Sequence, residues 1–269
     1  MRLWIRRPKT FRGRGDDPRF RDELNETQAK VPGFDRAAYK STHIALIGAG
    51  GINSNVAHAI NRKGAAQILS LIDDDRLARQ NLTRQLFAPA DIGKYKTHAL
   101  GKRLARETLF PIVINSYPFR FQELLERGYD LGKPNLLICG VDNNPTRRAV
   151  SEYALEHHIP VIHAAVARDG SSLYVMVQEP TKACWGCAFP QYVNDSTYPC
   201  NLPGIIDVLQ VVSGLIVYAI DSLICTRRRE WNVREIFLHG SLPDRTRQVE
   251  RRGDCLVCAG AVRSVPLAA

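Results

Sequence analysis

The opening residues, Met1-Arg2-Leu3-Trp4-Ile5-Arg6-Arg7, contain no apolar h-region and no small-residue cleavage site, so no secretory leader is expected. Without one, the seven cysteines are expected to stay reduced in a cytoplasmic setting and not to form a disulfide scaffold. No long apolar run is free of polar residues. The most apolar stretch, Ile205 to Cys225, contains Asp207, Gln210 and Asp221 on a narrow helical stripe. It reads as a buried or interface helix, and no membrane partner is expected. Internal repeats and low-complexity segments are also missing, which excludes repeat architectures. Acidic residues are in deficit, 27 against 37 basic, leaving a net charge of +10. That surplus suits a polyanion such as a nucleotide, an acidic protein or a nucleic acid; a solvated surface is the competing reading.

At 269 residues, 45% hydrophobic and 24% charged, the chain fits one elaborated α/β domain. Residues 1–40 read as an irregular basic arm that packs over the core or reaches a partner, and 41–269 as the domain itself. From Thr42 the pattern changes. His43–Ile47 is an apolar strand running into Gly48-Ala49-Gly50-Gly51, and Ile52, Val56, Ala59 and Ile60 follow at helical spacing until Gly64. A second strand, Gln67–Ile72, is closed by Asp73-Asp74-Asp75. A helix near Lys96–Glu107 and strands at Ile112–Tyr117 and Asn135–Cys139 come next. A helix then runs to His158, and Val161–Val166 and Leu173–Gln178 complete the expected sheet. Strands alternating with helices predict an α/β, Rossmann-like, mostly parallel sheet with helices on both faces.

A strand, a glycine turn and a helix start make an anion site, because backbone N–H groups there point at a phosphate. The turn departs from the dinucleotide fingerprint: Asn53 stands where a third glycine would be. Asparagine tolerates unusual backbone angles, so the turn is expected to adapt. Asp73, closing the second strand, can accept hydrogen bonds from ribose hydroxyls. Beyond it come Asn81, Arg84, Gln85 and Lys96, two cations and two amides, more than one pyrophosphate needs but suited to charge building on a triphosphate. Asp142, in an Asp142-Asn143 pair past the Leu136–Cys139 strand, has the position of a Mg²⁺ carboxylate. Surface charge is the alternative for Arg84 and Lys96, and a helix N-cap for Asp142.

Two Cys-x-x-Cys pairs, Cys184/Cys187 and Cys255/Cys258, can close a tetrahedral Cys₄ zinc site that staples the C-terminal segment. A redox dithiol is the alternative. Cys139 and Cys225 read as inert core residues. Cys200, in a proline-flanked loop before a helix, is open between a catalytic and an incidental role. His157, His158 and His163 receive no ligand role.

Taken with Asp91-Ile92-Gly93-Lys94-Tyr95-Lys96, these motifs resemble the ThiF/MoeB-type family, the fold of ubiquitin-activating and sulfur-carrier-activating enzymes, from about Thr42 to Cys258. The resemblance implies Asp73 on the ATP ribose, Arg84 and Lys96 on its phosphates, Asn81 and Gln85 lining the site, and Asp142 on Mg²⁺. It implies adenylation of a ubiquitin-like or sulfur-carrier protein, with Cys200 as the acyl acceptor in some members. It further implies a homodimer pairing along the Ile205–Cys225 helix, and conjugating or sulfur-transfer partners supplied by other chains. An N-terminal arginine reaching the partner's ATP could be Arg19 or Arg21, with solvated charge the competing reading. A tRNA-modifying enzyme of the same superfamily, an NAD(P) oxidoreductase and a non-catalytic binding half are the rival readings. The first uses the same ATP site, the second leaves Arg84, Lys96 and Asp142 without a purpose, and the third expects an eroded ATP site.

Overall fold

A computed structural model describes residues 6–15, 21–197, 204–240 and 242–259. Its nine described strands, β1 (Lys9–Gly13), β2 (His43–Ile47), β3 (Ile68–Ile72), β4 (Ile112–Tyr117), β5 (Leu136–Cys139), β6 (Val161–Val166), β7 (Ser172–Gln178), β8 (Val233–Phe237) and β9 (Arg245–Arg247), form one sheet. Their spatial order is β1-β4-β3-β2-β5-β6-β7-β8-β9. The five strands from β4 to β6 run parallel. β1 on one side and β7, β8 and β9 on the other are antiparallel. The sheet is therefore mixed, and it does not end at β7 as the sequence pattern suggested.

The middle strands are apolar runs because both of their faces are covered. Every residue of β2 and of β5 is buried. On one face lie α2 (Gly51–Lys63), α3 (Lys96–Glu107) and α7 (Ile206–Ile224, which follows the short α6, Trp185–Ala188, in the chain), contributing Val56, Ile60, Leu100, Leu104, Val212 and Ile216 to the larger core. On the other lie α4 (Phe121–Glu126) and α5 (Asn144–Glu156), contributing Phe121, Leu124, Val150 and Ala154. Each such buried side chain contributes roughly 1.5–3 kcal/mol of transfer free energy. α2 stops where expected, at Gly64, whose left-handed φ of 66° closes the last turn.

The described part of the segment 1–40 is not irregular. Its described residues include β1, which pairs with β4 through registers from Lys9↔Ser116 to Gly13↔Ile112, and α1 (Arg21–Ala29). β1 escapes a hydrophobic-pattern search because an edge strand buries only part of one face. Phe11 is its one apolar anchor and packs against the core at Gly101.

α7 is long and apolar enough to cross a membrane by length and composition. It is instead built into the core, and its polar stripe divides into two parts. Asp207 and Gln210 are exposed, whereas Asp221 is fully buried. The Asp221 carboxylate accepts from Tyr39 Oη at 2.7 Å, Lys63 Nζ at 2.6 Å and Arg227 Nη1 at 2.8 Å. A buried carboxylate needs such partners, and these tie residues near 39 and 227 onto the helix. Cys225 caps this helix half-buried, its thiol directed at Asp35 O, and is not a core residue as the pattern implied.

Candidate active site

The C-terminal ends of β2, β3 and β5 open onto one cleft of about 630 Å³. Gly48, Gly50, Gly51, Asp73, Asn81, Arg84, Gln85, Lys96, Asp142 and Asn143 all line it, as do Asp75, Arg76 and Arg147. Crevices of this kind are where open α/β sheets bind ligands. Gly48 has a φ of 89°, a left-handed value that favours glycine, and it turns the chain sharply from β2 into α2.

Asn53 corrects the expected backbone adaptation. It sits inside α2, and the only non-glycine residues with positive φ among those described are Lys133 and His158. The adaptation is in the side chain. Its Nδ2 donates to Ile47 O and Gly48 O, both at 2.9 Å, bracing the turn from behind. That close approach requires glycine at 140, where a Cβ would lie 2.6 Å from Asn53 Oδ1.

Asp73 pins two turns at once. One carboxylate oxygen accepts from Ala49 N at 2.7 Å and the other from Asp75 N at 2.8 Å. Burial pushes its pKa up to about 6, opposed chiefly by the Lys96 charge. Lys96 opens α3, an unfavourable place for a cation beside the helix dipole. Burial would lower its pKa, but Asp73, Asp75 and Asp142 outweigh that and hold it raised. Its direct partner is Asp75, with Nζ to Oδ2 at 2.6 Å. Asp75 is a residue the sequence reading did not assign, and Lys96 rests on it.

Asn81 Oδ1 accepts from Ala78 N at 2.9 Å and fixes the 3₁₀ turn Arg79–Asn81 that leads into Arg84 and Gln85. Gln85 is buried, and its Oε1 has no hydrogen-bond partner among the described residues. Arg84 donates to Gln80 O at 3.0 Å, and no carboxylate pairs with it among the described residues. The N-cap of α5 is Asn143, whose Oδ1 accepts from Thr146 N at 2.9 Å. Asp142 is thereby free of the capping role and lies exposed at the cleft, with Asn143 Nδ2 3.5 Å away. Arg147, also missed from the sequence, is buried one turn into α5. Its guanidinium donates to Val141 O and, at 3.2 Å, to Ala164 O, holding the turn that presents Asp142.

Asp142 has no ion-pair partner among the described residues, whereas the Asp73–Asp75 cluster is already met by cations. The three carboxylates of that cluster come within 4.8 Å of one another, but Lys96 bonds Asp75 and Arg120 pairs with Asp74 at 3.1 Å.

Beside the end of α5 and strands β7 and β8, the four cysteines converge. Sγ separations are 3.7 Å for Cys184–Cys187, 3.5 Å for Cys184–Cys255 and 3.6 Å for Cys187–Cys258. These are too long for disulfides and close to the edge of roughly 3.8 Å that a tetrahedron with about 2.3 Å Zn–S bonds requires. The Arg252 N–H also points at Cys187 Sγ from 3.4 Å, as backbone donors do toward metal thiolates. Trp185, Phe189 and Val257 pack around the cluster.

Cys200 and Arg19 lie outside the described residues, and Arg21 begins α1. His157 caps α5 and His158 follows it. His163 is fully buried beside Trp185, and burial, with help from Arg147, lowers its pKa to about 3, so it is a neutral core residue.

Residues 26–255 match the model of the ThiF family. The tRNA threonylcarbamoyladenosine dehydratase of Haemophilus influenzae is 34% identical over 131 residues, covering 47% of this chain and 48% of that protein. The SAMP-activating enzyme E1 of Haloferax volcanii is 25% identical over 185 residues, covering 65% and 64%. The adenylyltransferase and sulfurtransferase uba4 of Aspergillus terreus is 28% identical over 268 residues, covering 93% and 53%. The chain thus spans about half to two thirds of the length of these relatives. Among solved structures, Escherichia coli MccB with MccA has a TM-score of 0.71 at 18% identity, covering 91% of this chain and 75% of that one. MccB with ATP gives 0.67 at 18% identity, covering 83% and 68%. At such identities the likeness is one of fold.

Proposed function

The chain belongs to the ThiF family, and from that premise we propose that it adenylates a carboxylate with ATP. A carboxylate oxygen attacks the α-phosphorus, the bond to the bridging oxygen breaks, and pyrophosphate leaves. The observation that carries this reading is the convergence of Arg84, Lys96 and Asp142 on the glycine turn in one cleft. A dinucleotide oxidoreductase would use the turn and Asp73 but gives the other three no purpose. In the proposed step, the α2 N-terminus and Arg84 bind phosphate oxygens, and Asp73 holds the ribose. Lys96, poised on Asp75, turns toward the charge that develops as pyrophosphate departs. Asp142 would hold Mg²⁺, which supplies charge neutralisation on the phosphates when bound. The four cysteines would hold a structural zinc, since four thiolates leave no open position for catalysis.

The carboxylate we assign to the site is the C-terminus of a ubiquitin-like or sulfur-carrier protein, in line with the names of two of the relatives. A carboxylate borne on tRNA is the second reading. It is favoured by the 34% identity to a tRNA-modifying enzyme and by the +10 net charge. ATP–pyrophosphate exchange with small β-grasp carriers or with tRNA as the added substrate tests both. No exchange with either, in a chain that binds ATP, would remove the adenylation reading. Transfer of the acyl group to Cys200, and pairing of two copies along α7 through exposed Val211 and the N-cap residue Ile205, complete the proposal. A reducible adduct lost in Cys200→Ala and a doubled mass in sedimentation are their readouts.

Asp73 gives this site a pH signature. Its pKa of about 6 means that the ionised acceptor for ribose hydroxyls is fully formed only above that value. ATP affinity should therefore rise through about pH 6 and level off near pH 7.5. Calorimetric titration of Asp73→Asn should give a weaker and flat profile; an unchanged slope would place the titrating group elsewhere. The same raised pKa acts oppositely on the fold. Between 3.8 and about 6 the native state holds a proton that the unfolded chain releases, so this group's contribution to stability falls as pH rises.

A further inference from the structure

The outer edge of the sheet at β1 carries charge that the nucleotide cleft does not use. Between residues 6 and 15 there are five cations, Arg6, Arg7, Lys9, Arg12 and Arg14, and no acidic residue. Arg7, Lys9, Arg12 and Arg14 are exposed, and none has an ion-pair partner among the described residues. The adjoining α3 adds exposed Lys102 and Arg106, the latter 3.6 Å from Glu107. From Arg7 to Arg14 an extended chain covers roughly 23 Å.

The direction of this strip matters. β1 runs antiparallel to β4, so its N-terminal end lies beside the C-terminal end of β4. There Arg6 Nε donates to Pro118 O at 2.8 Å, next to Phe119 and Arg120 of the cleft wall. Side chains alternate along the strand, so Lys9 lies with Phe11 on the α3 side and Arg12 on the opposite face. The cations thus line both sides of the edge from the far end of the sheet to the mouth of the cleft. The edge also presents no exposed large hydrophobic residue, Phe11 being turned inward: those that are exposed, such as Ile92, Ile205, Val211 and Leu256, lie outside β1 and α3. Protein interfaces are centred on buried apolar and aromatic residues, whereas binding to nucleic-acid backbones is driven by exposed arginine and lysine without such a centre.

We infer that the β1 edge, through Arg7, Lys9, Arg12 and Arg14 with Lys102 of α3, binds the phosphate backbone of an RNA and guides it toward the cleft. The inference rests on the reading in which the carboxylate arrives on tRNA, but its test does not need the chemistry to work. Fluorescence anisotropy with bulk tRNA, without ATP, should show binding that weakens steeply with salt. The exposed triple variant Lys9→Gln, Arg12→Gln, Arg14→Gln should bind at least tenfold more weakly near 150 mM salt. Its log–log salt slope should be shallower by roughly two to three, as the loss of three phosphate contacts requires. The ATP-induced thermal shift should be unchanged in that variant, which separates this surface from the nucleotide site. Absence of tRNA binding at 50 mM salt, equal binding by the triple variant, or equal competition by poly-glutamate would each overturn the proposal. Failure of exchange with intact tRNA binding would instead count against the adenylation reading.

Discussion

Replacing Asp142 with alanine is expected to lower ATP–pyrophosphate exchange by about 10²–10³, the usual loss when one preorganised electrostatic contact to the reacting group is removed. The fold should not register the change. Asp142 is exposed, and the N-cap of α5 is formed by its neighbour Asn143. Asn143→Ala should behave differently, costing about 1 kcal/mol of stability through the lost cap. Thermal melting of the two variants beside their exchange rates separates these roles. Exchange that survives in Asp142→Ala would move the metal assignment to another carboxylate. Lys96→Ala should lose exchange to a similar degree, because no other lysine among the described residues lines the cleft.

The second large effect concerns the cysteine cluster. The purified chain should carry one zinc per molecule by elemental analysis. Stripping it with a strong chelator, or substituting Cys258→Ser, should lower the melting temperature by about 10 °C, a loss of roughly 3 kcal/mol in a chain of this size. The metal would join the segment around Cys184 and Cys187 to the strand-end segment of Cys255 and Cys258, so its loss should free β8 and β9 first. Hydrogen exchange should then show deprotection there and not in β2. A metal-free chain with an unchanged melting temperature would remove zinc from the description.

What was legible in the sequence is what is local. β2, α2, α3 and β6 each bury a continuous or periodic set of apolar residues, so their patterns stand alone. β9 is three exposed residues, Arg245–Arg247, and exists only because β8 supplies its hydrogen bonds. No window of sequence contains that information. The site divides in the same way. Gly48 and Asp73 were legible because each follows a strand directly, and Asp142 because it lies three residues past the end of one. Asp75 became meaningful only when Lys96, twenty-one residues later, was brought within 2.6 Å. Arg147 looks like any solvated arginine on a helix until β5 and β6 close over it.

Asn53 and Gly140 bear on how this chain can change. The asparagine occupies the space in which any side chain at 140 would have to stand. The two positions therefore form a single unit for mutation, and the order of events decides the outcome. Alanine at 140 collides with the Asn53 amide, and becomes tolerable only after position 53 has taken a smaller side chain. While the asparagine stays, the strand end opposite is held to glycine.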